Sequence, residues 1–213
     1  EVEEIQSLGS HFFDKILNYK HMGAISYTSQ GMTPFSLKCL SSSNSAITEL
    51  PQKWLSDILE LLKSQSLSTI LRRSAGLPPS ILALLKSEPI NQTPILLKKT
   101  LAFLREQITN QDSSVDVKCH CLNIMRFIYT ESTLRGDLQD EVQDGLVLAV
   151  RYGLCGDNWS VRNSGLMAFS GVMRRSLGSG KVDEHLYGTK YTVNMVKFFN
   201  RGNELYGFFE KIL

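Results

Sequence analysis

The residues with most capacity for chemistry stand together in Leu71-Arg72-Arg73-Ser74-Ala75-Gly76-Leu77-Pro78-Pro79. Two adjacent guanidiniums precede three small residues, and a double proline closes the stretch. That order presents forked donors from a stiff turn, and phosphate or carboxylate is the acceptor that matches a planar fork. The other use of such a pair is an internal ion pair at a helix start, which adds little stability by itself. Arg72 and Arg73, with Ser74 and Gly76 beside them, form the leading candidate binding stretch.

Other reactive residues do not assemble into a site. Cys119-His120-Cys121 has metal-ligand types, but helical neighbours at i and i+2 point to different faces, so the three side chains do not converge. Core cysteine is the expectation for Cys121, and no metal is expected. His11, His21 and His185 lack a His or Cys at ligand spacing and read as partly exposed or capping histidines. Gly178-Ser179-Gly180-Lys181 lacks the spacing of a phosphate loop and follows a helix rather than a strand, so it reads as a helix stop. Gly23 and Gly31 belong to no dinucleotide fingerprint, and Asp183-Glu184 reads as a solvated pair. No Ser-His-Asp or Cys-His arrangement is legible, so an independent enzyme is the least supported reading.

The bulk composition narrows the classes further. The 213 residues are 42% hydrophobic and 21% charged, with a formal net charge of +2. This is globular composition, and any nucleic-acid contact must come from a local patch. No charged n-region leads into an apolar h-region. No apolar run approaches the roughly 20 residues of a membrane span. Cys39, Cys119, Cys121 and Cys155 sit in apolar helical patterns, which suits a reducing, cytoplasmic setting. The chain starts at Glu1 and ends on apolar Ile212-Leu213, and is expected to be a piece of a longer protein.

The elements that must position the arginines are helices. Ile5, Leu8, Phe12, Ile16 and Tyr19 recur at helical steps over 3–19. A second helix is expected over 22–40, interrupted near Gly31 and Pro34. Ser41 to Ser45 reads as a loop, and Leu50-Pro51 opens a helix whose buried face is Trp54, Ile58, Leu61 and Leu62. Ser80 to Ser87 is a short helix stopped by Pro89. Thr93-Pro94 opens the next, striped by Leu97, Leu101, Leu104 and Ile108. After a turn at 110–114 come the stripes Val117/Cys121/Ile124/Ile128 and Leu138/Val142/Leu146/Ala149. Asp157-Asn158 caps a helix striped by Leu166, Phe169, Met173 and Leu177. Final helices are expected over 191–199 and 204–212, with no period-two run to suggest a sheet.

A repeat is visible within this series. Val117-Lys118-Cys119-His120-Cys121-Leu122 aligns with Val161-Arg162-Asn163-Ser164-Gly165-Leu166 at an offset of 44, and Arg73 aligns with Lys118 at 45. Each of these helices follows a partner helix about 20 residues upstream, and a period of roughly 40–47 with two or three helices is the pattern of HEAT and armadillo arrays. The fold expected is all-α, a HEAT/armadillo-like helical-repeat solenoid occupying 1–213 as one region. Stacked units would bring Arg73, Lys118 and Arg162 into a basic ladder. The alternative for Lys118 and Arg162 is pairing with an acidic residue of the neighbouring unit.

Several stretches are similar to those of one family. Arg72-Arg73-Ser74-Ala75-Gly76-Leu77-Pro78, then Ala83-Leu84-Leu85 and Ser87-Glu88-Pro89, closely resemble the signature of the THADA family. Lys20-His21-Met22-Gly23-Ala24, Cys121-Leu122-Asn123-Ile124, Trp159-Ser160-Val161-Arg162-Asn163-Ser164 with Phe169-Ser170, and Glu204-Leu205-Tyr206 with Phe208-Phe209 resemble further family segments in order. Gly165 and Ala168 are smaller than the family pattern, and Met173-Arg174-Arg175 is more basic. The resemblance implies the central shared region of a very large helical-repeat protein without catalysis of its own. It implies a partner, an FtsJ-like methyltransferase that holds S-adenosylmethionine and modifies a ribose 2′-hydroxyl in the tRNA anticodon loop. Arg72, Arg73, Ser74, Gly76, Lys118, Arg162 and Asn163 are the residues placed against RNA or that enzyme. The competing expectation is a protein-interaction module with no RNA contact, for which the near-neutral charge argues.

Overall fold

Apolar residues at three- and four-residue spacing wind this chain into helices that stack in two rows. The computed structural model describes residues 2–64, 73–89, 92–134, 138, 141–177, 207 and 210, and no strand occurs among them. The elements are α1 (Val2–Asn18), α2 (Met22–Leu40), α3 (Ser45–Thr48), α4 (Leu50–Lys63), a 3-10 turn (Arg73–Gly76), α5 (Leu77–Leu85), α6 (Ile95–Thr109), α7 (Val115–Thr130), α8 (Val142–Val147), a π-helical continuation (Leu148–Leu154) and α9 (Trp159–Leu177). The final helices expected over 191–199 and 204–212, the loop at 178–181 and Asp183-Glu184 lie outside the described residues, Gly207 and Glu210 apart.

Helix starts follow local chemistry. The Asn44 side chain accepts from the Ala46 N–H and nucleates α3 inside a stretch expected to be loop. Ser114 caps α7, accepting from the Val117 N–H, and Asn158 accepts from the Ser160 N–H at the start of α9. Pro94 gives α6 no cap side chain. Glu88 supplies it from outside: its two carboxylate oxygens accept from the Leu96 and Leu97 N–H groups at 2.6 and 3.1 Å. The negative charge also suits the positive end of the helix dipole. The expected break in α2 does not occur. Pro34 lies within a continuous helix on an exposed face, where water reaches the carbonyl it leaves unbonded, while Met32, Ser36 and Cys39 bury the opposite face.

One continuous core runs from Phe13 and Ile16 to Ala168 and Val172. The expected stripes of α4, α6 and α7 are buried apart from Leu61 and Leu101, which are half-buried. Two stripes are rotated from expectation. In α1, Leu8 and Phe12 face outward while Gly9 and Phe13 turn in. Trp54 lies flat on Gly9, where a Cβ would sit 2.1 Å from the ring, and it packs against Phe13 and Phe35 at 5.8 and 5.7 Å. In α9, Leu166 is 54% exposed, and the buried positions are Val161, Ser164, Gly165, Ala168, Gly171 and Val172. Phe169 and Met173 are half-buried at its sides. Closest approach is set by small residues: a Cβ on Gly165 would sit 2.6 Å from the Gly153 backbone across the π-helix.

Helices α5, α7 and α9 pack in one row, and α4, α6 and the π-helix in the other. Several contacts that join neighbours connect residues 43 to 45 apart. Lys86 pairs with Glu131, 45 residues on. Arg175 donates to the Glu131 carbonyl, 44 residues back. Lys99 donates to the Ser56 hydroxyl across 43 residues in the second row. Ser164 hydrogen-bonds Cys119, and Gly171 lies on Arg126, so α7 and α9 run parallel and in register.

Because both backbones meet at Gly165, even one methyl group forces them apart. Gly165→Ala is expected to destabilise the chain by about 1–3 kcal/mol, read as a lower urea midpoint with an unchanged slope. A midpoint equal to wild type would contradict the backbone contact.

Candidate functional site

The parallel row carries the helix N-termini to one edge and the C-termini to the other. The residues predicted to bind a partner belong to the N-terminal edge, and their settings differ. Arg72 lies outside the described residues. Arg73 and Ser74 form the 3-10 turn that leads into α5. Gly76 ends that turn against the C-terminal end of α1, where a Cβ would sit 2.2 Å from the Ile16 carbonyl oxygen. Its role is thus to let the arginine turn close on α1, a packing requirement rather than an approach path for a ligand.

Lys118, in the first turn of α7, is half-buried, and its ammonium has no ion pair among the described residues. Arg162 is exposed in the first turn of α9 and folds back on its own loop. Its Nη1 donates to the Gly156 and Asp157 carbonyls at 3.0 and 2.7 Å. The acidic partner from a neighbouring unit is therefore replaced by backbone carbonyls, and Nε and Nη2 make no bond among the described residues. Asn163 is exposed on the outer face of α9.

The opposite edge holds a ladder that the repeat offset contained but that was not read from it. Lys86, Glu131 and Arg175 stand at the ends of α5, α7 and α9, spaced by 45 and 44 residues. The Lys86 ammonium meets Glu131 at 3.3 Å, and Arg175 donates to the Glu131 and Leu134 carbonyls. Burial alone would raise the Glu131 carboxyl. Hydrogen bonds from the Thr133 backbone and hydroxyl, with the Lys86 charge, outweigh it and hold the carboxyl below its usual value. In the other row Arg105 is ion-paired with Asp144. These pairs are partly exposed, so each contributes below about 1 kcal/mol and serves register more than stability.

Cys119, His120 and Cys121 are all buried in α7. Burial pushes both thiols up, and the Ser164 hydrogen bond only partly opposes this at Cys119. Such thiols are poor nucleophiles and poor ligands. Among the described residues no three His, Cys, Asp or Glu side chains are grouped to hold a metal. Cys155 departs from the expected apolar pattern, lying exposed in the turn after the π-helix. Among the described residues no helix is long and apolar enough to cross a membrane.

Packed helices whose cross-contacts join residues 43 to 45 apart define the described residues as an all-helical protein. The family model described as THADA/TRM732, DUF2428 matches residues 1–160, and the chain belongs to that family. Over its whole length it is 33% identical to the human protein named tRNA (32-2'-O)-methyltransferase regulator THADA and 32% identical to the Gallus gallus protein of that name. Over 63% of its length it is 29% identical to the Schizosaccharomyces pombe tRNA (32-2'-O)-methyltransferase regulator trm732. It spans 11% of the human and chicken relatives and 9% of the yeast one. No solved structure matches it.

His120 gives this region a pH signature. Burial disfavours its imidazolium and holds the pKa below the usual 6.5, with the Asp116 carboxylate opposing in part. The unfolded chain therefore takes up this proton more readily. The stability owed to neutral His120 is complete above pH 6.5 and is lost as pH falls from there through the folded pKa. The urea midpoint should drop between roughly pH 7 and 5.5, and His120→Gln should flatten that drop. An equally steep profile in the variant would refute the assignment.

Proposed function

We propose that this chain is part of a non-catalytic accessory subunit, a cytoplasmic scaffold supporting 2′-O-ribose methylation of the tRNA anticodon loop by a partner FtsJ-like methyltransferase. The observation that carries this reading is family membership, with whole-length similarity to proteins named as regulators of a tRNA (32-2'-O)-methyltransferase. S-adenosylmethionine belongs to the partner enzyme. The regulator's contribution is geometric: holding the loop and the enzyme together converts an encounter into a positioned reaction, which lowers the barrier without touching the chemistry.

The scaffold in this reading is a HEAT/armadillo-like solenoid. Its support is the recurrence of contacts at 43 to 45 residues in both rows. Arg72 and Arg73 contact RNA phosphate or an acidic patch on the enzyme, and Lys118 and Arg162 extend that basic edge. Support comes from the Lys118 ammonium, which has no ion pair among the described residues, and from the Arg162 Nε and Nη2, which make no bond among them. The net charge of +2 favours a second reading, a protein-interaction module whose arginines grip a carboxylate and never meet RNA.

Replacing Arg72 and Arg73 together by Ala should abolish anticodon-loop methylation by the reconstituted complex while leaving the helical circular dichroism unchanged. Full methylation by a folded double variant would sink the proposal. The salt dependence of tRNA binding separates the two readings. Phosphate contacts at both arginines steepen the slope of log K against log salt by about two, whereas a slope that the double variant leaves unchanged assigns the pair to protein.

A further inference from the structure

α1 and α4 run side by side and in the same direction. Val2 and Gln6 of α1 line one hollow together with Glu49 and Lys53 of α4, and Gly9, further along α1, carries the ring of Trp54. Beyond Trp54 a groove of about 180 Å³ lies between the two helices. α1 lines it with Ser10, Phe13, Asp14 and Leu17. α4 lines it with Trp54, Asp57, Ile58 and Leu61. Each set stands at i, i+3, i+4 and i+7, so each wall is a single helix face roughly two turns long.

Floor and rim differ in chemistry. Phe13, Trp54 and Ile58 are buried at the floor, and Leu17 and Leu61 are half-buried at the end away from Gly9. Asp14 and Asp57 are exposed, one on each wall, and no cation lines the groove. Neither carboxylate has an ion pair among the described residues. Asp14 accepts only from the Asn18 Nδ2 of its own helix, at 2.9 Å. Lys53, one turn before Asp57, lines the other hollow instead. A cation held between two unpaired carboxylates is attracted by both, while apolar groups beside it fill the floor. An apolar trough two turns long between helices suits the face of a third helix, which anchors by side chains at i, i+3, i+4 and i+7.

We propose that the groove between α1 and α4 receives a basic amphipathic helix of a partner protein. Its apolar face lies on Phe13, Trp54 and Ile58, and its lysines or arginines meet Asp14 and Asp57. Charge selects this occupant, since the walls supply two carboxylates and nothing to answer an acidic helix. The groove uses none of the residues assigned to the basic edge, so the inference holds whether that edge meets RNA or protein.

Two synthetic peptides test it on the whole chain. One is an alanine-based helix with leucines at i, i+3, i+4 and i+7 flanked by lysines, and the other carries glutamates in place of the lysines. Trp54 is the reporter. The chain has 2 tryptophans and so two indole N–H resonances, and Trp159→Phe identifies which belongs to Trp54. The lysine peptide should move the Trp54 resonance saturably, and the glutamate peptide should leave it in place. Asp14→Asn with Asp57→Asn should weaken the lysine peptide by about ten-fold, as expected for the loss of two surface ion pairs. Both positions are exposed, so the free variant should keep the wild-type urea midpoint. Movement with both peptides alike, movement with neither, or an affinity that the double variant leaves unchanged overturns the proposal. Self-association of the chain that the double variant abolishes also overturns it, and assigns the groove to a second copy.

Discussion

Backbone contact between Gly153 and Gly165 is the constraint on which the two-row packing turns. With no Cβ on either side, α9 comes close enough for Ser164 to reach Cys119 and for Gly171 to rest on Arg126. Those contacts fix the register between α7 and α9 at an offset of 45 residues. The π-helical winding over Leu148–Leu154 belongs to the same constraint, since Gly153 lies within it. The small size of Gly165 thus finds its reason in the helix it meets rather than in its own.

Register has consequences at both edges. At the C-terminal edge, opposite charges alternate through Lys86, Glu131 and Arg175, and a shift of one turn would separate all three. At the N-terminal edge, like charges recur, which costs a little in repulsion unless an anion or acidic surface answers them. The C-terminal edge satisfies its charges internally. At the other edge, two bonds from the exposed Arg162 hold its own loop.

Much of this was legible beforehand, and the misses share one cause. Hydrophobic periodicity weighs large side chains, so it selected Leu8 and Phe12 in α1 and Leu166 in α9 as inward faces. Packing at close helix crossings instead rewards the smallest residues, Gly9 beneath Trp54 and Gly165 beneath Gly153. Pro34 misled for a related reason: proline predicts a break, but an exposed carbonyl can be satisfied by water while the other face stays packed. Glu88 was visible only as part of a family-like segment. Its capping of α6 joins residues eight and nine apart across a turn, and no local capping pattern reports that.

The sequence by itself determined most of the described helices, their order, the offset of 44 to 45 residues between similar segments and the family, because each is carried by local spacing or by residue identity. It also marked the basic residues at successive helix starts. Only the tertiary structure decided which face of each helix is buried and which cations are already held by carbonyls or carboxylates. Those are questions of distance between segments some 44 residues apart, and distance is settled by the packing of backbones and small side chains rather than by the pattern along any one helix.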